Sequence, residues 1–481
     1  MAFATDSRRI AVAVLTILCS SVLIWFGNGL DPWWPLFWLA PLPVLLFATR
    51  NSMRATAVVT FLAFLAGGGS MFRYFEMLSS TPWMWIVAYT LIALLFTSAV
   101  LSFRGFLLRG APWRALLAFP STWVTCEYIA NLVTPNGTAG SLAYTQLKFL
   151  PFLQLASITG PWGMSFLLLL FPAAIAIAVH LRSTAPRQAF RIAASALGLI
   201  ALVLAFGAIR LAQPAPARQI AVGLIASDAP GNVRQAHDGA ATERLLRDYA
   251  AEARSLAARG AQVIVIPEKV ATVVDPDSTP ADSVLQPLAD QTGATIVAGF
   301  DHQLASSRFN EARIYQPQAQ VILYHKHHLL PPFENIFNPG NAIAVLDRPT
   351  ETLGVAICKD MDFTVLSRQY GKAGIGLLLD PGWDFNIDRS WHGHIAIMRG
   401  VESGFSIAHA AKNGYLTVTD DRGRILAETR SDSAAFATLI AKVPAVHDNT
   451  VYLVLGDWFA WLSIAVLVCT RTPLFRRKQG A

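Results

Sequence analysis

Three side chains in the second half of the chain could together carry acyl-transfer chemistry. Glu268 directly follows the apolar stretch "QVIVIP", Lys326 follows "VILYH", and Cys358 ends "LGVAIC". Open α/β folds place their sites at strand C-terminal ends, where side chains are held rigidly while the backbone is exposed. A thiol becomes a strong nucleophile when a base or a nearby cation helps it lose its proton. A carboxylate can accept that proton, and an ammonium can stabilise both a thiolate and the oxyanion of a tetrahedral intermediate. Each residue alone has a plainer explanation. A buried cysteine commonly serves as a small hydrophobe, a glutamate can cap a helix, and most lysines are solvated. Their shared position after apolar runs is what points to chemistry.

The elements that must hold these groups are legible around them. "IAVGLI" (220–225), "QVIVIP" (262–267), "ATIVAGF" (294–300), "LGVAIC", "GIGLLLD", "FSIAHAA" and "YLTVT" read as strands, and "TERLLRDYAAEARSLAARG" and "VLQPLADQTG" as helices. Continuous Val, Ile and Leu runs fit strands covered on both faces, so this part of the chain reads as one layered α/β domain. "QPAPAR" (213–218) precedes it as a linker, and "DDRGR" (420–424) reads as a turn bent at Gly423.

The rest of the chain is apolar. Of 481 residues, 54% are hydrophobic and 14% charged, with 13 Trp and 28 Phe, a balance that points to a membrane protein. Seven apolar runs precede residue 211, at about 9–27, 33–48, 55–72, 83–103, 113–133, 158–180 and 191–210, and an eighth lies at about 452–469. The second is short and holds Pro35, Pro41 and Pro43, which suits a broken or re-entrant segment. Arginines fall on alternate sides: Arg8 and Arg9, Arg50 and Arg54, Arg104, Arg109 and Arg114, then Arg182, Arg187 and Arg191, and finally Arg471 and "RRK" (476–478). The intervening loops hold Arg73 and Lys148. This alternation predicts both termini in the cytoplasm and residues 212–450 on the opposite side, the periplasm of a Gram-negative bacterium. The first run lacks the small-x-small site of a cleaved signal peptide. Trp33, Trp34, Trp38, Trp83 and Trp85 sit at span ends as interface anchors, and "AGGGS" (66–70) reads as helix-packing glycines. The net charge of +7 is spread between the spans, which argues for topology and against nucleic-acid binding. The four cysteines lack CxxC spacing, and Cys19, Cys126 and Cys469 lie in apolar runs, so neither a zinc site nor a disulfide framework is expected.

"VIVIPE", "YHKHHLLPPFE" and "GVAIC", in this order, resemble the nitrilase superfamily, and membrane spans on both sides narrow the resemblance to the apolipoprotein N-acyltransferases. The closing "VYLVLGDWFAWLS" is also similar to that family's last segment. The resemblance implies an αββα sandwich outside the cytoplasm (212–450), a transmembrane domain of about seven helices (1–211), and an eighth helix with a basic tail (451–481). It implies Glu268 as general base, Lys326 as oxyanion partner and Cys358 as nucleophile, with Glu334 supporting the lysine. The family's Cys-Tyr-Glu is Cys358-Lys359-Asp360 here, its "N-D-A-W-F" is "DPGWDF" from Asp380, and its "R-x-x-N-N-G" is "HAAKNG" with His409 in place of Arg. The text after the first domain strand, "ASDAPGN", also departs from the family's Gln/Asn-rich form. Asp360 keeps an acid, while Lys359 adds a cation that could lower the thiol pKa or recognise an anion.

The implied reaction moves an acyl chain from a phospholipid to Cys358, and from the thioester to the α-amine of a diacylglyceryl lipoprotein. It needs no cofactor and no metal. The alternatives are a membrane-tethered amidase that uses water as acceptor, and a non-catalytic lipid-binding scaffold. "HKHH" (325–328) and "WHGH" (391–394) show no carboxylate at i, i+4, so metal binding is not expected there, and His392 and His394 read as polar-face or rim residues.

Overall fold

The computed structural model describes residues 2–78, 82–229, 239–274 and 279–472. Most of "APGN" and all of "RRK" lie outside the described residues. The chain divides into two compact units, one of residues 1–134, 140–210 and 455–481, the other of residues 135–139 and 211–454.

The first unit is helical. Among the described residues, five helices are long and apolar enough to cross a membrane: Ser7–Gly27, Met53–Leu78, Trp83–Leu108, Pro161–Leu181 and Pro186–Ala212. A sixth, Pro112–Val133, has 22 residues but carries Arg114, Glu127 and several hydroxyl groups. Proline divides the second apolar run into two short helices, Trp34–Phe37 and Leu42–Ala48, each with Pro in its first turn. The last run is also divided. Gly456 takes a left-handed φ of +61°, which separates Val451–Leu455 from the 14-residue Trp458–Arg471. Inside this unit Trp162 Nε1 donates to Asp457 Oδ1 at 2.7 Å, tying the last helix to Pro161–Leu181.

The second unit holds two sheets. The first contains β1 (Gln219–Ala226), β2 (Val263–Val265), β3 (Ala271–Val274), β4 (Thr295–Gln303), β5 (Arg308–Tyr315), β6 (Ile322–His325) and β13 (Ala437–Pro444). Its order is β13-β1-β2-β4-β5-β6, with β3 paired to β4. The second contains β7 (Ala344–Asp347), β8 (Thr352–Val355), β9 (Leu377–Trp383), β10 (Ser406–Lys412), β11 (Tyr415–Thr419) and β12 (Ile425–Arg430), in the order β12-β11-β10-β9-β8-β7. The central pairs β1–β2, β2–β4, β8–β9 and β9–β10 are parallel, and β5, β6, β7, β11, β12 and β13 pair antiparallel at the flanks.

Alternation along each strand gives two apolar faces. The inner faces meet in one core that includes Val222, Val265, Val297, Ile314, Val355, Leu379 and Val418. The outer face of the first sheet packs on helices Gly239–Ala258 and Thr279–Thr292 through Leu246, Tyr249, Leu285 and Phe300. That of the second packs on Thr364–Lys372 and Trp391–Ser403 through Leu366, Tyr370, Ala396 and Ile407. The order of layers is helix, sheet, sheet, helix.

Candidate active site

Glu268 sits in the turn after β2, pressed against β4. A Cβ on Gly299 would lie 2.5 Å from the Glu268 Cα, so only glycine lets the strand approach this closely. Gly299 N–H donates to Pro267 O at 3.0 Å and Val270 N–H to Gly299 O at 2.9 Å, which fixes the turn. Lys326 follows β6, and its N–H donates to Asn310 O at 2.8 Å on β5. Cys358 follows β8 at the start of the short 3₁₀ turn Cys358–Asp362, with φ at +46°. A non-glycine residue at positive φ is strained, and such strain persists where the surroundings hold it. Here Cys358 N–H donates to Asp380 Oδ1 at 2.7 Å.

These turns bring the expected residues into one buried cluster. Lys326 Nζ lies 3.0 Å from Glu268 Oε1 and 3.0 Å from Glu334 Oε2. The Cys358 thiol is within electrostatic reach of Glu268 and Lys326. Glu268, Lys326, Glu334 and Cys358 are all buried. Two further residues that the sequence reading did not mark complete the cluster. Asn310 Nδ2 donates to Glu268 Oε1 at 2.5 Å and to Glu334 Oε1 at 2.7 Å. Lys269 Nζ lies 2.5 Å from Glu334 Oε1 and 3.3 Å from Glu268 Oε1. Two carboxylates thus face two ammonium groups.

Burial disfavours charge on Lys326, but Glu268 and Glu334 outweigh it and hold the lysine well above its ordinary pKa. The Glu334 carboxyl, which burial alone would push up, is held well below the usual range by Lys326 and Lys269. Burial, with the Glu268 charge, pushes the Cys358 thiol well up against the opposing pull of Lys326. The resting thiol is neutral and needs a base. Glu268 is the adjacent carboxylate.

Asp360 joins the two turns. Its Oδ1 accepts the N–H groups of His327 at 3.1 Å and His328 at 2.8 Å, beyond Lys326. Its Oδ2 accepts the Tyr324 hydroxyl at 2.7 Å and the Ile357 N–H at 3.1 Å, ahead of Cys358. Lys359 points elsewhere: its Nζ pairs with Asp362 Oδ2 at 3.2 Å. That corrects the expectation of a thiol pKa lowered by this lysine, since burial and Glu268 move the thiol the other way.

Behind Cys358 lies a buried chain of charges. His409 Nδ1–H donates to Asp380 Oδ2 at 2.8 Å, and His409 Nε2 is 3.7 Å from Asp384 Oδ2. Burial works against the imidazolium, yet Asp380 and Asp384 hold His409 up at about 10, so it is charged at neutral pH. A cation therefore stands where the resembled family has arginine. His392 is buried between Asp362 and Asp388, at 3.5 and 3.6 Å, and is not a rim residue; Asp388 stands four residues before it, which corrects the expectation of no carboxylate at that spacing. Lys412, also unmarked in the sequence reading, donates to Lys269 O at 3.0 Å and stands 3.5 Å above the Trp383 ring. Burial and Lys269 hold its pKa well below normal.

The histidines of "HKHH" diverge. His327 Nε2 is 3.1 Å from Ala342 O, and the His328 ring stacks on Phe363 at 3.6 Å. His325 instead joins His302 and Glu311, the one group among the described residues with three metal-ligating atoms close together.

Residues 20–174 match a family model described as the apolipoprotein N-acyltransferase N-terminal domain, and residues 215–446 one described as carbon-nitrogen hydrolase. The apolipoprotein N-acyltransferase of Geobacter metallireducens is 28% identical over 92% of each chain. The protein of that name from Gloeobacter violaceus is 25% identical over 98% of this chain and 96% of its own. Among solved structures, the amidase from a Nesterenkonia species aligns with 22% identity and a TM-score of 0.42, over 51% of this chain and 96% of the amidase. The apolar helices and the full-length relatives make the chain a membrane protein.

Proposed function

We propose that the chain is a member of the apolipoprotein N-acyltransferase family and transfers an acyl chain from a phospholipid to the α-amine of a diacylglyceryl-cysteine lipoprotein. The observation that carries this reading is the buried cluster in which Lys326 bonds Glu268 and Glu334 within electrostatic reach of a neutral Cys358 thiol.

Glu268 takes the thiol proton as the sulfur attacks the ester carbonyl of the phospholipid. The C–S bond forms, and the carbonyl electrons move to an oxyanion that Lys326 stabilises. Collapse expels the glycerol alkoxide, which takes the proton from Glu268 and leaves as a lysophospholipid. The acceptor amine, in its neutral form, then attacks the thioester. Glu268 removes the ammonium proton of the new tetrahedral adduct and returns it to the departing sulfur, leaving an amide and the free thiol. Glu334, Lys269 and Asn310 hold Lys326 and Glu268 in place through these steps. At rest Lys326 is held charged by the two carboxylates beside it, and Glu334 remains as its partner while Glu268 carries the proton.

In this reading residues 212–450 form the catalytic domain, while residues 1–211 and 451–481 anchor it in the inner membrane with the reaction on the periplasmic side. The alternating arginines support that sidedness. A membrane anchor suits the substrate, because each CH₂ exposed to water costs about 0.8 kcal/mol.

The test is to incubate the purified full chain with phospholipid and look for an acyl group on Cys358 by mass spectrometry. Adding a diacylglyceryl-cysteine peptide should discharge it and yield the N-acyl peptide. Cys358→Ser should form no thioester. Discharge to free fatty acid with no peptide product would favour the water-using amidase class instead.

A further inference from the structure

We infer that His302, Glu311 and His325 form a divalent-metal site of the zinc class on the outer face of the first sheet, apart from the acyl-transfer cluster. His302 Nδ1 and His325 Nε2 converge on the same carboxylate oxygen, Glu311 Oε2, at 2.8 and 2.9 Å. The three ligand atoms lie within 4.8 Å of one another. Two imidazoles and one carboxylate, with water as a fourth ligand, are a donor set that zinc takes tetrahedrally. An imidazole can carry its proton on either ring nitrogen, so the nitrogen facing Glu311 can serve as a metal ligand.

The surroundings are those of a built site. Arg313 Nε donates to Glu311 Oε1 at 2.8 Å, which orients the carboxylate and leaves Oε2 to the histidines. Arg313 is itself held by Asp282, with both carboxylate oxygens 3.0 Å from Nη1. The His302 and Glu311 side chains are buried, while His325 is 30% exposed and offers an entry path.

The position gives the site a role. The ligands come from β4, β5 and β6, and Glu311 pairs in register with His325. Strand alternation turns Glu311 away from Asn310 and His325 away from Lys326. A metal here would bind three adjacent strands on one face while the other face presents Asn310 and Lys326 to the cluster. β6 ends its sheet, so it has a neighbour on one side only within that sheet, and the metal would fasten it on the face opposite Lys326. The carboxylate escapes a search at helical spacing because it arrives from the facing strand, fourteen residues before His325.

The experiment uses the full chain in detergent, stripped with chelator, with Co²⁺ alone and Zn²⁺ alone as probes. One equivalent of Co²⁺ should give the visible absorption of a tetrahedral site, which Zn²⁺ then displaces. His325→Ala and His302→Ala should each weaken binding by more than about 100-fold, beyond the usual effect of losing an outer partner. His327→Ala should leave it unchanged. Zn²⁺ should also raise the thermal midpoint of the parent but not of His325→Ala. No stoichiometric binding to the folded parent, or binding undiminished in both ligand variants, would overturn the inference. Because metal content is read directly, the result does not depend on the acyl-transfer assignment.

Discussion

At the scale of single residues, the chemistry depends on charges that burial opposes and neighbours restore. Lys326 pulls the Cys358 thiol toward the thiolate, against burial and the charges of Glu268, Asp384 and Asp380. Lys326→Met should therefore raise the thiol pKa further, so Cys358 alkylation at fixed pH slows and its pH profile moves upward. A profile that moves down would contradict the assigned electrostatics. Glu268→Gln should cut acylation by about 10²–10⁴-fold, the usual contribution of a general base. His409 provides a pH signature of its own. Its folded pKa of about 10 exceeds the ordinary 6.5, so its ion pair with Asp380 contributes fully below about 6.5. That contribution falls as pH rises through about 10. The stability difference between the parent and His409→Gln, followed by thermal unfolding, should shrink over this window, and His409→Arg should restore the part lost at high pH.

At the scale of elements, Asp360 is the cross-brace on which the site's geometry rests. It gathers donors from the turn after β6 and from the turn after β8, so Lys326 and Cys358 are positioned by a common carboxylate. Asp360→Ala leaves buried N–H groups without their acceptor, at roughly 1–3 kcal/mol each. We expect a lower thermal midpoint together with a fall in kcat that approaches 10²-fold if the turns shift by about 1 Å. A variant that loses stability but keeps full kcat would show that the brace does not position the site. The same elements show what the sequence could reveal. Strands β1, β2, β4, β8, β9, β10 and β11 stand out because each is mostly buried and carries a run of apolar residues. β5 does not, although it is central to the site. Its sequence "RFNEARIY" carries Asn310 toward the cluster, and Glu311 and Arg313 into a buried ion network, so its polar side chains mask the strand. Glu268, Lys326 and Cys358 were visible because each directly follows an apolar run. Asn310, Lys269 and Lys412 had no such marker, since only the assembled sheets show what they face.

At the scale of the whole molecule, the sidedness of the reaction depends on how many helices cross. The run at 33–48 is decisive, because its proline-divided helices Trp34–Phe37 and Leu42–Ala48 are short. A straight helix rises 1.5 Å per residue, so about 20 residues span the hydrocarbon core, more than this run supplies. Yet Arg8 and Arg9 precede the first helix and Arg50 and Arg54 follow the second run, and the positive-inside rule puts both groups in the cytoplasm. Two crossings must then separate them, and a short segment can meet that demand if the bilayer thins locally around it. Single cysteines can decide this on a background lacking the four native thiols. Asp31→Cys and Arg218→Cys should react with a membrane-impermeant maleimide added outside intact spheroplasts, and Met53→Cys should react only after lysis. Asp31 and Met53 are exposed, so their labelling reports sidedness and not burial. Labelling of Met53→Cys from outside would make the broken run re-entrant and shift the parity of every later span. If Arg218→Cys were then shielded, the catalytic residues would face the cytoplasm, where the periplasmic acyl transfer proposed here could not occur.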